Sequence, residues 1–252
     1  HGYLETEKEC ACVAANHEID IEMMSATYIQ YLEELVEEGK VSEDTIDRML
    51  RRVLTLKEKI GLLDDPYVGV DFEAAKKMEL SKEHRELARV AAEKSMVLLK
   101  NDGILPLKAD TKVMLAGPFA DEQNIIGEWK CFGKAEEAVS VKAGVEAFLG
   151  KEVVAVKGCD MDLLTDDLSG IPAAVEAAKD AEVIVACLGE SAKVSGEGSS
   201  RADLTIPKAQ VALLKALKEL GKSIVLVVFG GRPQVLTEVE PLADAILYAW
   251  MP

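Results

Sequence analysis

Three carboxylates, a lysine and an arginine fall within one stretch of small and polar residues, running from Gly189 through Glu190, Lys193, Glu197 and Arg201 to Asp203. A carboxyl group on such a loop can donate and accept a proton at a reacting oxygen if its surroundings bring its pKa toward the working pH. Glu197 lies in the middle of the stretch, where it can project away from its own domain. Glu190 sits at the start, directly after an apolar run, and a structural partnership with a nearby backbone amide is the simpler reading for it. The competing reading of the whole stretch is a solvated surface loop whose charges do no chemistry.

Other chemistries lack their residues. The turn Ala116-Gly117-Pro118-Phe119 does not supply the G-x-G-x-x-G that a dinucleotide fold needs after its first strand. No phosphate-binding P-loop occurs. Gly189-Glu190-Ser191-Ala192 fails at the second glycine of a serine-hydrolase elbow. The cysteines, Cys10, Cys12, Cys131, Cys159 and Cys187, are odd in number and lack C-x-x-C spacing. They suggest neither a disulfide framework nor a zinc site, and reduced thiols in a cytoplasmic protein are the expectation. His1, His17 and His84 are too dispersed to ligate together. No metal or cofactor is expected.

The elements that must carry the loop follow from periodicity. From residue 110 onward apolar strands alternate with helices. The strand candidates are Val113–Ala116, Val153–Val156, Val183–Leu188, Ile224–Phe229 and Ala245–Tyr248. Helical stretches fall near 141–149, 171–179, 207–220 and 233–240. Continuously apolar strands imply cover on both faces, and the alternation implies right-handed βαβ units in a mainly parallel, doubly wound sheet. Ligands of such sheets bind beyond the carboxyl ends of the strands, which points to the segments after Ala116, Val156, Leu188 and Phe229. The long loop holding Glu197 is one of these.

The first third reads differently. Helices are expected over 5–15 and 28–38, a short strand over Ile19–Met24, and a helix started by Ser42, whose hydroxyl can cap free N–H groups. Gly39 and Gly61 act as stops. Residues 64–80 read as a linker, Ser81 as the cap of another helix, and Val97–Lys108 as a hairpin-like connection. The expected domains are 1–63, a linker over 64–88, and 89–252.

Composition narrows the partners. The chain has 252 residues, 49% of them hydrophobic, enough for a sizeable core. Its formal charge is −16, which argues against a nucleic-acid backbone as partner. No apolar run approaches the roughly 20 residues needed to span a bilayer, and no signal peptide opens the sequence; a signal lying upstream of a fragment would not be visible.

Six ordered blocks resemble family 3 glycoside hydrolases. "RRVLTLKEKIGLLDDPY" at 51–67 resembles the end of that family's barrel domain, and "AAEKSMVLLKNDGILPLK" at 91–108 the entry to its second domain. "LAGPFAD", "GESAKVSGEGSSRADLTIPKAQ", "GGRP" and "LYAWMP" continue the match through 115–252. The resemblance implies a β-glucosidase-like retaining enzyme: the last strand and helices of a (β/α)8 barrel, followed by an α/β sandwich domain. It implies that Glu197, in "SGEGSSR", is the general acid/base. Trp129, in "GEW", resembles the aromatic placed over the leaving-group sugar. Met23, in "IDIEMM", resembles a methionine lining the same pocket. Arg201 and Asp203 are expected to shape the loop.

The family's nucleophile, an aspartate in a motif resembling S-D-W, would precede the His1-Gly2 with which this sequence opens. The expectation is therefore a fragment, truncated on both sides and inactive alone. Its substrate would be an oligosaccharide or glucoside, and its partner the missing barrel portion or a second copy of the chain. Two alternatives stay open: a non-catalytic sugar-binding or regulatory module, and an interaction domain completed by a separate barrel chain.

Overall fold

The computed structural model describes residues 3–67, 69, 71–161 and 167–252. His1-Gly2 and two positions of the expected linker lie outside them. The chain divides into two compact bodies, His1–Glu79 and Leu80–Pro252.

The first body is helical: α1 (Glu7–Asn16), α2 (Thr27–Glu37), α3 (Glu43–Lys59) and α4 (Phe72–Met78). Local chemistry sets the boundaries. Thr6 and Glu9 form a capping box at the start of α1. Ser42 accepts from the Thr45 N–H at the start of α3. Ala26 cannot cap α2, and the Glu22 carboxylate does so instead, accepting from the Thr27 and Tyr28 N–H groups. Ala11, Ala15, Leu35 and Val41 form the small core. Residues 19–24 run as irregular chain, contrary to the expected strand. A strand needs a neighbour for its backbone groups, and the described residues of this body contain no other strand. The expected linker also carries a helix, α4, capped by Asp71.

The second body opens with α5 (Lys82–Ser95), capped by Ser81 as expected. Then follow β1 (Val97–Asn101), β2 (Val113–Ala116), α6 (Val141–Leu149), β3 (Val154–Val156), α7 (Ile171–Ala178), β4 (Val183–Gly189), α8 (Lys208–Lys218), β5 (Ser223–Phe229) and β6 (Ala245–Trp250). The six strands form one sheet in the order β1-β6-β5-β4-β2-β3. All pairs are parallel except β1 with β6. This is the expected doubly wound sheet, with two corrections. Val97–Lys108 is no hairpin: β1 pairs with distant β6, where Val97 meets Tyr248, because an edge of the apolar sheet offers it a complete ladder. The helix expected over 233–240 is reduced to a 3-10 turn at Glu240–Leu242.

Side chains along the central strands alternate between two cores, as a period of two dictates. Ile184, Ala186 and Leu188 of β4 join Ile224, Leu226 and Val228 of β5 against α7 and α8, where Ala174, Leu213, Leu214 and Leu217 are buried. Val183, Val185 and Cys187 join Val225 and Phe229 on the opposite face, packed by Val141, Val145 and Leu149 of α6. Each buried Leu, Ile or Val stabilises by roughly 1.5–3 kcal/mol. The chain leaves β2 toward β3 on one side and returns to β4 on the other. The carboxyl ends of β2 and β4 therefore flank the switch point of the sheet, the place where ligands of open α/β sheets bind as a rule. Among the described residues no helix is long and apolar enough to cross a membrane.

Candidate functional site

Two connections meet at that switch point. The one after β2 carries Trp129, and the one after β4 carries Glu197. The first is steered over β4 by the Phe119 N–H, which donates to the Cys187 carbonyl at 3.3 Å. The Phe119 ring stacks on Phe229 at 4.9 Å with planes 9° apart. The indole of Trp129 then stands 70% exposed. A Cβ added at Gly196 would lie 3.3 Å from Glu128 Cβ and 3.6 Å from Trp129 Nε1. The residue preceding Glu197 thus rests against Glu128 and Trp129, and the structure brings Trp129 and Glu197 to one place.

Glu197 is exposed at a turn between Gly196 and Gly198. Both glycines have left-handed backbone, φ +123° and +75°, a region where side chains are strained. They let the chain reverse tightly and present the carboxylate outward. A short 3-10 turn, Ala192–Val194, leads into this tip. Met23 belongs to the first body, in its irregular segment, and is 85% exposed.

The base of the loop is built around Glu190, whose side chain is fully buried. Its carboxylate receives the Arg201 guanidinium on one oxygen and Arg232 Nε on the other, at 3.1 Å. The simple reading of Glu190 as partner of a backbone amide is therefore corrected: it serves two guanidiniums, while its own N–H donates to the Phe229 carbonyl at 3.0 Å. Arg201 also reaches the Thr205 carbonyl at 3.3 Å. Asp203 accepts from the Thr205 N–H and hydroxyl at 2.9 and 2.7 Å, which hold its carboxyl below the ordinary value. These contacts give Arg201 and Asp203 loop-shaping roles.

Sequence reasoning missed two residues of this base. Gln210 is fully buried. Its side-chain amide accepts from the Gly189 N–H at 2.7 Å and donates to the Gly189 carbonyl at 2.8 Å. Strand β2 pairs with β4 only as far as Ala186, so the amide replaces the strand that has ended. Arg232 was visible in the "GGRP" block but had no role from sequence. Its Nη2 donates to the carbonyls of Val194 and Ser199, the latter at 2.7 Å.

Among the described residues no group of three or more His, Cys, Asp and Glu side chains could hold a metal ion. All five cysteines are unpaired. Burial pushes the Cys187 thiol up to about 12 and the Cys159 thiol up to about 11, so neither is a ready nucleophile.

Known proteins share this architecture. Residues 96–252 match the C-terminal domain of glycosyl hydrolase family 3. The chain is 35% identical over 99% of its length to a periplasmic β-glucosidase of Salmonella typhimurium, covering 36% of that protein. It is 32% identical to a β-xylosidase of Formosa agariphila, again over 99% of the chain and 36% of the relative. A mutant β-glucosidase from Listeria innocua, solved in complex with laminaribiose, superposes with a TM-score of 0.87 at 35% identity, over all of this chain and 34% of that one. The chain thus spans about a third of the length of the proteins it matches.

Proposed function

The chain belongs to glycosyl hydrolase family 3, and from that premise we propose that it supplies the general acid/base, Glu197, of a retaining β-glycosidase. The observation that carries this reading is the placement of an exposed carboxylate on a glycine-flanked tip, beside an exposed indole, at the switch point of the sheet. A proton donor that must reach a sugar held outside its own domain requires such a projecting position.

In this mechanism a carboxylate nucleophile attacks the anomeric carbon while Glu197 gives its proton to the glycosidic oxygen, so the C–O bond breaks and a neutral alcohol leaves. Glu197, now a carboxylate, removes a proton from water as the water oxygen displaces the enzyme carboxylate, and the free sugar departs. The two carboxyl groups of such enzymes stand roughly 5–5.5 Å apart. Trp129 offers a flat apolar face to the leaving-group sugar. The substrates are terminal β-linked glucosides or xylosides; the relatives named for both sugars support that range. No aspartate of these residues stands in an S-D-W motif. A polypeptide of these 252 residues assayed alone is therefore expected to give no turnover by this route.

The test is leaving-group dependence in the full-length protein. General-acid assistance contributes about 10²–10⁴-fold where the leaving group is poor. Glu197→Gln should lower kcat/KM on a disaccharide by that order and leave kcat/KM on a dinitrophenyl glycoside nearly unchanged. Azide, a nucleophile that needs no base, should restore turnover of the activated substrate to Glu197→Ala. Equal losses on both substrates, with no azide effect, would sink the assignment.

A further inference from the structure

A loop tip carrying a proton donor must be free to approach substrate, yet it cannot wander by an ångström without loss of rate. The contacts beneath Glu197 address this conflict. The Arg232 guanidinium does three things at once. Nε sits on the buried Glu190 carboxylate. Nη2 takes the carbonyl of Val194 on the incoming leg and that of Ser199 on the outgoing leg. The two legs are thereby tied to a single planar group, with the Gly196-Glu197-Gly198 tip lying between the tied points. Ser199 Oγ adds a bond across the same neck, donating to the Lys193 carbonyl at 3.3 Å.

Arg232 is itself held from below. Tyr248 Oη, on β6, donates to the Arg232 carbonyl at 2.6 Å. Gln234 Nε2 donates to the Phe229 carbonyl at 2.8 Å. The loop also lies flush on the backbone before Arg232. A Cβ added at Gly231 would fall 1.9 Å from Ser195 Oγ and 2.8 Å from Ser195 Cβ. The oxygen can rotate away, but the Cβ cannot, so any side chain at 231 must lift the loop.

We propose that Arg232 is a positioning residue for the acid/base: seated on Glu190 and bridging Val194 to Ser199, it locks both legs of the loop and confines motion to the tip that bears Glu197, while Gly231 supplies the seat. This rests on Glu197 being the proton donor. With Nε on Glu190 and Nη2 on the Val194 and Ser199 carbonyls, Arg232 acts through Glu197.

Two readouts separate this proposal from a merely structural role and from failure of the acid/base assignment. The first is cleavage by trypsin after Lys193, on the incoming leg, in the chain itself. Arg232→Met should be cut there about tenfold faster than the parent, with other exposed sites unchanged, because local opening is what a protease reads. The second is kcat/KM in the full-length protein. Arg232→Met should lose on the order of 10²-fold on a disaccharide and little on a dinitrophenyl glycoside, the signature of a misplaced proton donor.

Removing Arg232 also strips a buried carboxylate of one partner, so two further variants guard against simple unfolding. Arg232→Lys restores the charge but not the fork, and should fold normally while recovering only part of the disaccharide rate. Gly231→Ala leaves every charge in place and should reproduce the leaving-group signature, and adding Ser195→Gly, which removes both clashing atoms, should relieve it. Unchanged cleavage after Lys193 in Arg232→Met, with equal rate losses on both substrates, would overturn the clamp. Faster cleavage together with a Glu197→Gln variant that shows no leaving-group dependence would leave the clamp standing and sink the acid/base reading instead.

Discussion

Replacing Gln210 by methionine should destabilise the second body by about 2–6 kcal/mol. The side-chain amide satisfies both main-chain groups of Gly189, at 2.7 and 2.8 Å, at the point where β4 has outrun its neighbour β2. Methionine has nearly the same volume, so the cavity contribution is small. It can neither accept from the N–H nor donate to the carbonyl. Each buried backbone group left without a partner costs about 1–3 kcal/mol, and two are lost together. Against a total stability of about 5–15 kcal/mol, this is a large share. At roughly 2–4 °C per kcal/mol for a body of this size, the midpoint should fall by at least about 4 °C. Both tryptophans, Trp129 and Trp250, lie in the second body, so their fluorescence follows its unfolding free of the helical first body. Lys208→Met, an exposed change beside the N-terminus of α8, is the control and should shift nothing. A Gln210→Met protein within 1 kcal/mol of the parent would refute the view that this amide stands in for a strand.

Three further outcomes follow from the same geometry. Glu190→Ala leaves the Arg201 and Arg232 guanidiniums without their shared acceptor and should cost about 3–5 kcal/mol, read by the same fluorescence transition. In the native protein at pH 8, iodoacetamide should label the exposed Cys10 and Cys131 and spare Cys159 and Cys187, whose thiols burial pushes up to about 11 and about 12; peptide mass spectrometry showing early Cys187 labelling would contradict the packing of β4. In the first body, the Ser25 and Thr27 hydroxyls, helped by N–H groups at the start of α2, lower the Glu22 pKa from 4.5 to about 2. A depressed carboxyl pKa stabilises above the unfolded value and loses that contribution as pH falls through the folded one. Helical circular dichroism should therefore decline between about pH 4.5 and about pH 2 and do so less steeply in Glu22→Gln, while a native Glu22 titrating near 4.5 in an NMR experiment would refute the cap.

The same geometry suits the role proposed for Glu197, because it holds the base of the loop firmly and leaves the tip exposed. The strands end at a switch point, so two connections diverge there and leave room for a ligand. Rigid parts lie below: a stacked Phe119–Phe229 pair, a buried carboxylate between two guanidiniums, and a side-chain amide that continues the sheet. Above them stands a tip with glycine on either side of Glu197.

Periodicity alone determined most of the second body. Apolar runs at 113–116, 183–188 and 224–229 became strands within a residue of their expected bounds, because residues buried on both faces admit few other conformations. Ser42 and Ser81 were legible as caps because capping is local chemistry. The loop of Glu197 was legible as a place where chemistry could sit, since its length and polarity break an otherwise apolar pattern. The tertiary structure decided the remainder. It gave Val97–Asn101 to β6 and not to a hairpin, and it left residues 19–24 without a ladder. It also revealed that Glu190, Arg201 and Arg232, spread over more than forty positions, form one cluster. Helix caps and strand periods depend on neighbours a few residues apart, so they are written in the order of the chain. Ladder partners and buried charge pairs depend on distance in space, which no local pattern encodes.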